Sequence, residues 1–132
     1  MNWTMLWDSL PYLLGGAYPD GPIGGAALTV LLSLGSGILS ALLGLGLGIA
    51  LAMLQGPARV VLTSALAFLR AIPVLMLIFW SYFLLPIALG INVPGVLSVM
   101  AALSLIGGAY LAHAVFAGIT GIAAGQWAAG LS

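Results

Sequence analysis

The sequence has no cysteine and no lysine, and its only acidic residues are Asp8 and Asp20. Without cysteine there are no disulfides, thiolate metal ligands or thiol nucleophiles. Without lysine there is no phosphate-binding loop of the G-x-x-x-x-G-K-[ST] type, so any nucleotide hydrolysis falls to a partner. The basic residues are Arg59 and Arg70, and the net charge is zero. No basic field exists to attract nucleic acid. The single histidine, His113, lacks company for a metal site, which needs three or four ligands. Both aspartates precede the first long apolar run, so they are expected about 30 Å from His113, on the opposite face of a bilayer. That separation also excludes a His-Asp pair activating a serine. The sequence therefore reads as non-enzymatic, with no metal or cofactor.

What is present is apolar. Hydrophobic residues make up 64% of the 132, and charged residues 3%, against about 25% charged in a soluble domain. Such a chain belongs in a bilayer, as an all-α membrane protein with three transmembrane helices behind an interfacial segment. No positive residue precedes the first apolar stretch, and no cleaved signal peptide is expected.

Residues 1–25 form the external segment. Trp3, Leu6, Trp7, Leu10 and Leu14 recur at helical spacing, which fits either a helix lying at headgroup level or a plain tail. Pro11 limits its regularity, and Asp8 or Ser9 is a candidate cap for a short turn beginning near it. Tyr18 to Pro22 (Y-P-D-G-P) is a turn. Residues 26–54, the first span, hold neither charge nor proline and exceed the roughly 20 residues a crossing needs. Within this span Ser36, Ser40, Gly44, Gly48 and Ala52 are small and four apart, a strip that packs against another helix or lines a substrate path.

Gln55, Gly56, Pro57 and Arg59 mark a cytoplasmic turn at 55–59. The second span is expected over 60–85, with a kink or a fresh helix start near Ile72, because Pro73 removes a hydrogen bond. Arg70 beside that break either snorkels to the surface or turns into a polar path between helices. Trp80 and Tyr82 touch substrate or serve as belt aromatics. Residues 86–95 are an external turn and 96–117 the third span. Residues 118–132 are read as a cytoplasmic docking segment, with Gly118, Gly121 and Gly125 loosening the helix and Ala128, Ala129 and Gly130 exposing almost no side chain. His113 is read as a ring in a polar crevice, with a substrate contact as the sharper alternative. The arginines flank the first connection, so the positive-inside tendency puts it in the cytoplasm, the N-terminus outside and the C-terminus inside.

Two segments carry a family resemblance. A-Y-L-A-H-A-V-F-A-G-I at 109–119, followed by G-Q-W-A-A-G at 125–130, resembles the coupling region of permease subunits in ATP-binding-cassette importers for polar amino acids, whose pattern is A-Y-x-x-E-x-x-R-x-G-I leading into G-Q-x-E-A-A. F-L-R-A-I-P-V-L-M-L-I-F-W-S-Y-F-L-L-P at 68–86 is similar to the R-x-x-P-x-L segment of that family with its downstream aromatic-Tyr-x-x-x-Pro. Trp80, Tyr82 and Pro86, with W-D-S-L-P-Y-L-L at 7–14, lean toward the glutamate/aspartate-type branch.

The resemblance implies a bacterial inner-membrane, multi-pass subunit. Its partners would be membrane lipid, an ATPase subunit, a sister permease or second copy, an external substrate-binding protein and an amino-acid substrate. It implies ATPase coupling through Gly125, Gln126, Ala128, Ala129 and Gly130, and a substrate path past Arg70, Pro73, Trp80, Tyr82, Tyr110 and His113. The departures are His113 and Ala128 where the family has glutamate, and Phe116 where it has arginine. Members of that family continue into further spans, so by this resemblance the chain is expected to be C-terminally truncated. The alternatives are a non-transporting membrane protein that acts by helix packing, and a fragment of a longer product.

Overall fold

The computed structural model describes residues 3–122 together with Gln126 and Gly130. Its regular elements are all helical: α1 (Trp3–Gly15), α2 (Gly25–Met53), α3 (Gly56–Ala71), α4 (Val74–Phe79), a π-helical turn (Trp80–Leu84), α5 (Leu85–Leu89) and α6 (Gly95–Gly121). A lipid environment favours helices because each satisfies its own backbone donors and acceptors. Two of them, α2 and α6, are long and apolar enough to cross a membrane, and the bent pair Gly56–Ala71 and Val74–Leu89 makes a third if it counts as one crossing. The chain divides into two compact units, residues 1–35 and 36–132.

In the first unit α1 runs from Trp3 to Gly15 with Pro11 inside it. Asp8 and Ser9 therefore stand mid-helix and cap nothing, which corrects the short turn expected near Pro11. The turn that follows is closed by the Gly24 amide donating to the Gly15 carbonyl at 3.1 Å and by an antiparallel bridge between Gly16 and Ile23. Gly25 starts α2 with φ +57, and a side chain there would run into the Leu13 carbonyl. Only glycine suits both demands.

The second unit is organised on α6. The part of α2 after Ser36 packs along it in constant register: the Ser40 hydroxyl lies 3.4 Å from the carbonyl oxygens of Leu103 and Ser104. Gly44 abuts Gly108, Leu111 and Ala112, and Gly48 abuts Ala112 and Val115. Numbers rise together on both helices, so α2 and α6 are parallel. On the opposite side of this stretch Ile38, Leu42, Leu45 and Ile49 are exposed, a face suited to lipid.

The third helix packs on α6 in the reverse sense. Leu66 joins Leu51, Ala109 and Ala112 in a buried cluster flanked by Leu47, Leu62, Leu69 and Phe116. This cluster sits where α2, α3 and α6 meet. The fourth helix and the π-helical turn also lie against α6.

Of the two outcomes expected near Ile72, a kink or a fresh helix start, the structure has the fresh start: Ile72 is extended (φ −81, ψ 127), Pro73 precedes the new helix, and the two halves meet at 95°. Proline disfavours helical geometry in the residue before it, and that forces Ile72 out of α3. The Pro73 carbonyl then accepts from the Met76 and Leu77 amides at 2.9 and 3.2 Å, which starts α4. The turn expected over 86–95 is shorter, because α5 persists to Leu89 until Gly90, at φ 65, closes it. Gly118 does not interrupt the last helix, which ends with Gly121 before Ile122 turns extended.

Candidate functional site

Both arginines of the chain project from α3 onto aromatic rings of α6. The Arg59 guanidinium carbon lies 4.6 Å from the Phe116 ring centroid, and that of Arg70 lies 5.6 Å from the Tyr110 centroid. Residues 59 and 70 fall on one face of a helix, since eleven residues make about three turns. Leu66 lies on the same face, and its burial fixes that face against α6. A guanidinium over a ring is attracted by the quadrupole of the π-system, by about 0.5–1 kcal/mol where exposed and more where desolvated.

The two arginines differ in surroundings. Arg59 is exposed, whereas Arg70 is half-buried and its Nε is buried with no hydrogen-bond partner. Tyr110 remains 56% exposed, so the pair lies on an open side of α6. One turn on, half-buried His113 has Nδ1 3.2 Å from the Ala109 carbonyl oxygen. A carbonyl only accepts, so Nδ1 donates, and in the neutral ring Nε2 is left as an acceptor.

Of the residues named for a substrate path, the structure brings Arg70 and Tyr110 together and sets His113 a turn from Tyr110. Pro73 lies in the break just beyond Arg70. Trp80 and Tyr82 stand apart, in the π-helical turn. Tyr82 approaches the start of α6: a Cβ at Gly95 would come 3.5 Å from its Cε2. Gly95 is fifteen residues from Tyr110, roughly 22 Å along the axis. Trp80 borders an apolar groove of about 330 Å³ with Ser81, Leu84, Leu85, Ala88 and Leu89.

Of the small-residue strip, Ser36, Ser40, Gly44 and Gly48 are buried and Ala52 is half-buried. Its counterpart on α6, Gly107 and Gly108, was not singled out from the sequence. A side chain at Gly107 would collide with the Ser40 hydroxyl, and one at Gly108 would come 2.9 Å from Leu43 Cβ. The Gly-Gly pair was the available signal. Stacking of Arg59 on Phe116 was also missed, because the long arginine stem brings together residues that no spacing rule relates.

In the segment named for ATPase coupling, Gln126 and Gly130 are helical and exposed. Gly125, Ala128 and Ala129 lie outside the described residues. Among the described residues no three His, Cys, Asp or Glu side chains gather as a metal site. No protein-family model, no curated protein and no solved structure matches the chain.

Proposed function

We propose that the chain is a permease subunit of an ATP-binding-cassette importer for polar amino acids, inserted in a bacterial inner membrane and coupled through its C-terminal segment to a separate ATPase. The observation that carries this reading is the stacking of Arg70 on Tyr110. The two segments that resemble the family, R-A-I-P-V-L and A-Y-L-A-H-A, are far apart in sequence, yet their signature residues meet across the α3–α6 contact. The substrate would pass along this face, and acidic amino acids suit its positive charge.

Three crossings fit the fold better than two. Parallel α2 and α6 finish on the same side, which supports a recrossing by the chain between them before α6 begins. A re-entrant α3–α5 pair would return to the side it left and would make α6 antiparallel to α2. Arg59 lies by Phe116, near the end at which both helices finish, and this favours a cytoplasmic location for that end.

A second reading, a membrane protein that acts only by helix packing, is favoured by His113, Phe116 and Ala128 at positions charged in the family. The test is co-purification of the detergent-extracted chain with a polar-amino-acid importer ATPase, alongside Gly125→Trp and Ala129→Arg. Retention by the wild type and its loss in both variants is the expected result. No retention of the wild type would sink the transporter reading.

A further inference from the structure

We infer that the Arg70 guanidinium is a binding position for a small oxyanion, carboxylate or phosphate, that comes from outside the chain. The first ground is an unmet valence. Nε of Arg70 is buried without a partner, although a guanidinium carries five donors and forms its strongest bonds with oxyanions. The Tyr110 ring, 5.6 Å from the guanidinium carbon, offers a π-face and no carboxylate or carbonyl acceptor that would neutralise the charge.

The second ground is charge. No carboxylate side chain occurs after Asp20, so the helices that surround Arg70 hold no counter-ion. A charge inside a membrane bundle that nothing neutralises is costly, and such residues ordinarily face a partner or a polar path.

The third ground is depth. Tyr110 stands fifteen residues from the first residue of α6 and eleven from the last, roughly 22 and 16 Å along the axis. Phe116, under Arg59, is only five residues from the last. Arg59 is therefore near the end of the bundle and Arg70 well inside it. Lipid phosphates lie at the ends, which favours a dissolved anion over a headgroup at Arg70. This site stands whether or not the chain couples to an ATPase.

The chain has only two arginines, so nitrogen-15 arginine labelling gives two Nε–Hε resonances, and Arg59→Lys assigns the one from Arg70. The full chain is placed in phosphatidylcholine nanodiscs and titrated with glutarate, inorganic phosphate or the neutral diamide glutaramide at constant ionic strength. A saturable shift of the Arg70 resonance with glutarate or phosphate, absent with glutaramide and not shared by Arg59, is the expected result. No saturable shift, or an equal drift of both resonances, overturns the proposal. A parallel disc containing phosphatidylglycerol separates the sources: a shift there without added solute keeps the oxyanion site and names lipid phosphate as its occupant. Should Arg59→Lys fail to fold, the wild type still reports, because only one of its two resonances should respond.

Discussion

Gly44 of α2 lies against Gly108 of α6 so closely that a Cβ built on Gly44 would stand 3.2 Å from the Gly108 carbonyl oxygen. Between helices in lipid there is little hydrophobic force, so association rests on such close backbone approach. Gly44→Leu and Gly48→Leu should each destabilise the fold by about 1–3 kcal/mol or more, as overpacking does. Gly37→Ala and Gly46→Ala, at positions with nothing within 4 Å, should be neutral or stabilising by up to about 1 kcal/mol. Reversible unfolding in mixed micelles reads both sets. Equal effects would show that the seam is not where the stability lies.

The Arg59–Phe116 stack should contribute about 0.5–1 kcal/mol, being exposed. A double-mutant cycle with Arg59→Gln and Phe116→Leu isolates the coupling from the separate costs of each change. Zero coupling would reduce the pair to mere proximity.

Parallel α2 and α6 make a prediction about sides. The chain has no native cysteine, so single cysteines report without background. Gln55→Cys, between α2 and α3, and Asn92→Cys, between α5 and α6, should react with a membrane-impermeant maleimide from opposite faces of sealed vesicles. Gln126→Cys should share the face of Gln55→Cys. Labelling of Gln55 and Asn92 from one face would mean that the α3–α5 pair dips in and returns.

Gly90 ends α5 with φ 65 and has open space where a side chain would go. Gly90→Ala should therefore cost about 1 kcal/mol through backbone strain alone. Gly90→Asn should recover part of that loss, because asparagine tolerates the left-handed region. Thermal unfolding of the two variants side by side checks the order.

The long helices were legible because a run without charge or proline leaves lipid-embedded chain no other form, and α2 falls within one residue of the expected 26–54. The break at Pro73 was legible as a break, since ring sterics act on Ile72 locally, but not as a right angle. That angle depends on the packing of α4 and the π-helical turn against α6, which no local rule contains. At Pro11 and Gly118 the local rules overstated the disruption. Both residues are tolerated inside helices when the remaining turns hold. Arg70 and Tyr110 could each be picked out singly, and successive spans imply that α3 and α6 run antiparallel, but their meeting also depends on how far α3 is offset along α6, which no spacing rule gives.

The α2–α6 seam decides which mutations this chain can absorb. Exchanges among leucine, isoleucine and valine on the outward stripe of Ile38, Leu42, Leu45 and Ile49 change little, since one oily side chain serves as well as another against lipid tails. A single added methyl at Gly44, Gly48, Gly107 or Gly108 meets an atom already in place. In a chain with almost no charge, the fold is written in its smallest residues, and a survey of tolerated variants should find its blank columns there.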